Sequence, residues 1–481
     1  MTNTARSRDY EFVPRIINPI KVNRAILFAA DAQVRQSKSA LQEKMPWVRL
    51  ETLYDPFSLT ALASEEASVF LFDDTSLAIA DAGKIRSQNA NAVLVLLTFQ
   101  PFIQCAPPGP ARDKYPYTAK ADLIFAVNRK EFTPAAIIPS AVRAAEDRLN
   151  VEKSTSVRRF IFHLVDDEPR WFSEFLPVLY EIIGQRADVM ISRTYEESLE
   201  FLFGVTEESR VSQKGRLSRG RGDDVVCLIT DIFFPRGGDL QSDAGRDLIR
   251  LLNTHYPRIP VIIASKAKEA HELSHLGFIL PKGDPGSLEK LKDHILNFTG
   301  LGDFIIYGRD GRELRRARDI HGICRILLEA EKETALGRRL REILESYGEK
   351  DKFSTWLYMH SYRELGDRLR PRHGRGHQLV TVLKRNFQTE MARMARTPLL
   401  IGDARVSSLT DLLASLRKLP PETFQPYSDN DILSSWLDRR GYTGLAEELR
   451  PIHGSGEKLR QTVVEVVTRW IETYRRQGHP L

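Results

Sequence analysis

Residues 22–150 alternate short apolar runs with stretches whose apolar positions recur every three or four residues. Ala25–Ala30, Val69–Phe72, Ala92–Thr98 and Ala121–Val127 read as buried strands, and Val34–Lys44 and Pro134–Arg148 as amphipathic helices. This alternation predicts a parallel sheet covered by helices on both faces. The same order returns over 157–298. Strands are predicted at Arg159–Val165, Val225–Thr230, Val261–Ser265 and Phe278–Leu280, and helices at Trp171–Ile183, Ala244–Thr254 and Ser287–Phe298. The fold class expected is therefore α/β: two doubly wound, five-stranded parallel-sheet domains, followed by an all-α C-terminal repeat region. Val205–Asp224 is rich in Ser, Gly, Arg and Lys without periodicity, and is expected to be a mobile insertion.

From about Leu301 the strand patterns stop, and Arg312–Tyr347 has charged, helical periodicity. A second repeat then appears. Trp356 and Trp436 are 80 residues apart, and the same offset relates Leu357 to Leu437, Tyr362 to Tyr442, Leu369-Arg370-Pro371 to Leu449-Arg450-Pro451, and His373-Gly374 to His453-Gly454. Each copy reads as two short helices, a turn and a long helix; the proline ends the second helix. In copy two the long helix carries Leu459, Val463, Val466, Val467, Trp470, Ile471 and Tyr474 on one stripe. Asp351 and Asp429 stand where N-caps are expected. The divisions are a tail at 1–21, a domain at 22–150, a domain at 157–298 with its insertion at 205–224, a helical connector at 301–350, and repeats at 351–396 and 429–476.

With 42% apolar and 28% charged residues, the composition is that of a globular chain. No apolar run reaches membrane-spanning length, so no membrane partner is expected. Met1–Tyr10 is polar, without the apolar core of a secretory signal. Cys105, Cys227 and Cys324 lack metal-ligand spacing. Free thiols in a reduced, cytoplasmic protein are the expectation. The net charge of +6 is uneven: residues 301–481 hold 32 Lys and Arg against 25 Asp and Glu, leaving −1 for 1–300. That surplus permits nucleic acid as a partner of the C-terminal region without requiring it.

The candidate chemistry lies at the strand ends of 157–298. Asp166 and Asp167 end the first strand, Asp231 the one at Val225–Thr230, and Ser265 the next; Lys282 follows the last. Ligands of open parallel sheets bind at those carboxyl ends. Singly, each residue has a plain structural reading: an acidic helix start, a turn Asp, a cap Ser, a solvated Lys. Together, with Pro235 four residues after Asp231, they resemble the receiver domain of bacterial response regulators. The resemblance implies that Asp231 is the phosphoacceptor, and that Asp166, Asp167, Asp231 and the backbone carbonyl of Phe233 hold Mg²⁺. It implies that Lys282 and Ser265 contact the phosphoryl group, and that a histidine kinase or phosphotransfer protein is the donor. The segment Arg236–Asp243 makes a longer loop than usual, Pro281 precedes Lys282 rather than following it, and Ile279 stands where an aromatic is frequent.

The unit at 22–150 resembles a degenerate receiver. Only Asp31 represents the acidic pair, Asp73 and Asp74 follow the third strand, Thr98 the fourth, and the lysine position falls near Val127–Asn128, with Arg129 and Lys130 beyond. A pseudo-receiver that docks or dimerises without phosphorylation is expected, which allows a homodimer. Residues 301–370 also resemble a segment found after receivers in phosphoenolpyruvate synthase-associated proteins, on Gly302-Asp303-Phe304, Phe353-Ser-Thr-Trp-Leu and Leu369-Arg-Pro. No enzyme activity beyond phosphotransfer and autodephosphorylation is expected. Three readings compete for the repeats: a helical protein-interaction module, a nucleic-acid-binding module using the His-Gly-x-Gly turns, and an enzyme using His373 and His453, the last a poor case because no acid or nucleophile lies nearby; for the whole chain, a scaffold indifferent to phosphorylation is a further alternative.

Overall fold

The computed structural model describes residues 20–35, 41, 45, 48–53, 68–100, 103, 115–130, 133–153, 159–184, 186–207, 220–266, 268–308, 310–360, 362–370, 374–429, 432–450, 452 and 456–477. Most of the expected tail, residues 208–219 of the expected insertion, Cys105, and the turn residues Pro371, His373, Pro451, His453 and Gly454 lie outside them. Two compact units are present, Met1–Lys292 and Asp293–Leu481. Among the described residues no helix is long and apolar enough to cross a membrane.

The first unit contains both sheets. One is built from β1 (Arg24–Phe28), β2 (Arg49–Leu53), β3 (Ser68–Phe72), β4 (Ala92–Thr98) and β5 (Leu123–Ala126), all parallel, in the order β2-β1-β3-β4-β5. The other uses β6 (Ile161–Val165), β7 (Asp188–Ser192), β8 (Val225–Thr230), β11 (Val261–Ser265) and β12 (Phe278–Pro281), in the order β7-β6-β8-β11-β12. The orders match strand for strand. Strands β2 and β7, unmarked in the apolar pattern, are edge strands. Their sequences RLETL and DVMIS mix polar and apolar residues, and the acidic ones are paired, Glu51 with Arg24 and the buried Asp188 with Arg159.

The helices of this unit are α1 (Ala32–Arg35), α2 (Asp74–Ile79), α3 (Ala82–Gln88), α4 (Pro134–Lys153), α5 (Pro169–Ile183), α6 (Tyr195–Phe203), α7 (Ala244–His255) and α8 (Ser287–Phe298), the last running across the division between units. The second sheet packs Val165, Leu228 and Ile263 against Leu199, Leu202, Leu248 and Leu252 of α6 and α7. The first packs Phe28, Phe72, Leu94 and Ile124 around Leu77 and Ile85, with Phe28 and Phe72 stacked at 4.9 Å. Arg236–Asp243, expected as a long loop, contains part of an antiparallel hairpin, β9 (Phe234–Arg236) and β10 (Asp239–Gln241). Gly237 and Gly238 turn it at φ of 65° and 93°, a region closed to most side chains. Arg236 fixes it to Asp247 at 3.0 Å and to the ring of Tyr195.

The two sheets are joined through α4 and α5. The fully buried Asp147 of α4 accepts a hydrogen bond from the N–H of Val189 in edge strand β7, at 2.9 Å. Arg143 of α4 donates to the carbonyls of Tyr180, Gly184 and Ala187, closing the C-terminal end of α5. In return Ser173 of α5 accepts from the N–H of Ala126 in edge strand β5, at 3.1 Å. An unpaired buried N–H costs about 1–3 kcal/mol. Each domain thus satisfies edge groups of the other.

The second unit is helical, as expected, and is a duplication longer than the Trp356/Trp436 spacing marks. Copy one comprises the hairpin β13 (Phe304–Tyr307) and β14 (Glu313–Ala317), then α9 (Ile320–Ala330), α10 (Ala335–Glu349), α11 (Lys352–Met359), α12 (Arg363–Leu369) and α13 (Gly376–Arg396). Copy two comprises β15 (Leu399–Ile401) and β16 (Ala404–Val406), then α14 (Leu409–Lys418), α15 (Pro421–Asp429), α16 (Ile432–Arg439), α17 (Thr443–Leu449) and α18 (Gly456–Arg476). The last three helices have 8, 7 and 21 residues in both copies. Residues 301–350 are therefore packed as the first half of copy one. The match escapes a fixed offset because α10 has 15 residues where α15 has 9.

Each copy has its own core, Trp356 with Phe304, Leu327 and Leu365 in one, Trp436 with Val406, Leu412 and Val467 in the other. The expected stripe of α18 is buried, Trp470 only partly. Asp351 does stand before α11, but in the left-handed region and without a capping bond; Asp429 ends α15 rather than capping a helix.

Candidate functional site

Strand register carries the chemistry to one place. Val165 ends β6 opposite Thr230 of β8, and the ladder continues one step, Asp231 N–H donating to Val165 O at 2.9 Å. Ser265 ends β11 opposite Pro281 of β12, and Lys282 N–H donates to Ser265 O at 3.1 Å. Asp166, Asp167, Asp231, Ser265 and Lys282 are thereby fixed by backbone at the carboxyl ends of four neighbouring strands. Asp167, Asp231, Phe233, Ser265 and Lys282 line a cavity of about 300 Å³, together with Glu168, Trp171, Leu240 and Lys266. Gly245 at the start of α7 permits the approach of that helix: a Cβ there would lie 2.3 Å from the carbonyl oxygen of Asp231.

The ammonium of Lys282 bridges the site. It donates to Asp166 Oδ2 and, at 2.5 Å, to Asp231 Oδ2. Asp231 also accepts from the N–H of Ile232 at 2.6 Å, and Asp166 from the N–H of Glu168 at 3.0 Å. Burial pushes Asp167 up to about 7, with help from the charges of Glu168 and Asp231. Burial likewise carries Asp166 up to about 7, outweighing the attraction of Lys282. Burial alone would lower Lys282; the two carboxylates reverse that and raise it. The pocket is thus a place where negative charge is held against its solvation cost, and an added cation relieves it.

The donor set fits a hard cation, being carboxylate and carbonyl oxygen only. Among the described residues no three acidic, His or Cys side chains close around a common point, and Lys282 bonds both Asp166 and Asp231.

The corresponding end of the first sheet is different. Register places Phe28 opposite Phe72 and Thr98 opposite Ala126. Asp73 N–H donates to Phe28 O and Val127 N–H to Thr98 O, as their counterparts do. Asp73 therefore corresponds to Asp231, Thr98 to Ser265, Ala29 and Ala30 to the acidic pair, and Val127 to Lys282. Asp31 corresponds to Glu168 and not to the pair; it binds Arg129 at 2.8 Å. Asp73 caps α2 through Ser76 N–H, and Asp74 accepts from Thr98 and Tyr117.

Sequence reading did not single out Trp171, Glu168, Lys266 or Leu240 as pocket residues. Trp171 is buried, bonds Glu168 through Nε1 at 2.8 Å and carries Lys266 over its ring at 4.4 Å. The available signal was position: Lys266 directly follows Ser265, and Trp171 lies in the first turn after the acidic pair.

No family model and no curated protein matches this chain. Two solved structures, each described as a two-component system response regulator/GGDEF domain protein, are similar to it. One has 14% identity, covering 57% of this chain and 98% of its own, with a TM-score of 0.24; the other has 13% identity, covering 56% and 97%, also with a TM-score of 0.24.

Proposed function

We propose that this chain is a response regulator that accepts a phosphoryl group on Asp231, from a histidine kinase or phosphotransfer protein, and controls a protein partner through its helical repeats. The observation that carries this reading is the convergence of Asp167, Asp231, Ser265 and Lys282 in one cavity at four strand ends, with Asp166 bonded to Lys282 beside it.

Asp231 presents Oδ1 to the backbone N–H of Ile232 and Oδ2 to Lys282, so its carboxylate is oriented before any donor arrives. As the bond from Asp231 to phosphorus forms, Lys282 holds an ammonium against the equatorial oxygens, and Ser265 offers its hydroxyl from the neighbouring strand end. Asp166, Asp167, Asp231 and the Phe233 carbonyl would hold Mg²⁺, which when bound neutralises charge on the transferring phosphoryl group. The first domain takes no part in transfer, since alanines and Val127 stand where the acids and the lysine are needed.

The test is uptake of BeF₃⁻ by the full chain with Mg²⁺, followed by ¹⁹F NMR. Wild type and Asp73→Asn should take it up, and Asp231→Asn should not. Unchanged uptake by Asp231→Asn would remove the basis of this reading.

A further inference from the structure

Lys266 is exposed, yet its ammonium lies 4.4 Å from the centre of the Trp171 indole. It is part of the wall of a cavity that contains Asp167, Glu168 and Asp231, and among the described residues it forms no ion pair with any of them. Arg170 covers the same indole at 4.7 Å and Lys282 at 5.4 Å. The indole is itself held by Glu168 on its nitrogen, and a Cβ at Gly283 would reach its ring edge at 3.4 Å. An aromatic face holds a cation in place without neutralising it, which a carboxylate would do. The pocket therefore has two lysines with different surroundings: Lys282, buried and bound to two carboxylates, and Lys266, exposed at the cavity wall and, among the described residues, in no direct ion pair.

We propose that Lys266 is a specificity-determining residue for the phosphodonor, drawing a dianionic phosphoryl group into the pocket before transfer to Asp231. This rests on the phosphoacceptor reading above. With acetyl phosphate as donor, Asp231 Oδ forms a bond to phosphorus while the bond from phosphorus to the acetyl oxygen breaks; acetate leaves with that electron pair. Lys266 meets the phosphoryl oxygens during approach, so it acts on capture and not on the bond exchange, which Lys282 and Ser265 attend.

The experiment measures phosphorylation rates of the full chain with Mg²⁺ and two donors. Acetyl phosphate is a dianion near pH 7.5; phosphoramidate carries one net negative charge less. For Lys266→Met, kcat/KM with acetyl phosphate should fall about five- to tenfold at low salt, with kcat little changed. The loss should shrink in 0.5 M salt and be smaller for phosphoramidate, and Lys266→Arg should restore most of it. Wild-type rates in Lys266→Met overturn the proposal. So does a loss equal for both donors and insensitive to salt, which marks a structural role. Phosphorylation of Asp231→Asn at the wild-type rate would place the failure in the phosphoacceptor reading instead.

Discussion

Replacing Lys282 with Met removes the cation bonded to both Asp166 and Asp231 and keeps most of the side-chain volume. Lys282 and Asp166 are almost wholly buried, with side chains 1% and 2% exposed. Removing one partner from a buried ion pair typically costs about 3–5 kcal/mol, because the other charge is left without compensation. Here the cost depends on pH. Asp166 and Asp167 are already raised to about 7 by burial, and loss of Lys282 moves Asp166 further up. Carboxyls raised above their unfolded value contribute stability that is complete at low pH and lost as pH rises through the folded value. The deficit of Lys282→Met should therefore be small near pH 5 and reach about 3–5 kcal/mol near pH 8. Mg²⁺ should recover part of it at pH 8 and little at pH 5. Hydrogen exchange of the β6 and β8 amides in the full chain reads this opening energy locally. Equal protection in wild type and variant at pH 8 without Mg²⁺ would refute the electrostatic account of the pocket.

Other expectations follow from single contacts. His163 is buried, bonded to Ser192 Oγ at 2.8 Å, and lowered to about 3 by desolvation. His163 should therefore contribute a loss of stability as pH falls from about 6.5 toward 3, by up to about 1.4 kcal/mol per unit and opposite in sign to the gain from Asp166 and Asp167, and His163→Gln should remove that contribution from the acid-unfolding slope. Gly245→Val should cost about 1–3 kcal/mol through overpacking and slow phosphorylation of Asp231, since α7 must retreat from the Asp231 carbonyl. Asp147→Ala should cost about 1–3 kcal/mol and speed exchange at the Val189 amide; unaltered exchange there would show that the bond contributes nothing.

The central strands were legible because both faces are covered, so LVLL-type runs survive in sequence. The edge strands β2 and β7 were not, since Glu51 and Asp188 break their apolar runs and are tolerated there through pairing with Arg24 and Arg159, elsewhere in the chain. The hairpins β13–β14 and β15–β16 hid for another reason: three to five residues are too few for alternation to emerge. The candidate site was readable because parallel topology turns strand ends, distant in the chain, into neighbours, and each acid or lysine stood directly after an apolar run. Trp171 and Lys266 were not read, because their tie is between rings and cations on different elements, which no spacing encodes. Asp31 was assigned to the acidic pair, and backbone register moves it one place further on, opposite Glu168.

The bonds from Arg143 and Asp147, and the one received by Ser173, mean that excision of residues 20–153 would not leave a finished domain behind. It would bare the flank of β7, uncap the tail of α5 and strip a lining from the helix that follows Asp166 and Asp167. Ala29, Ala30 and Val127 stand where the second domain has Asp166, Asp167 and Lys282, yet the first domain remains the splint of the second whatever its own strand ends can do.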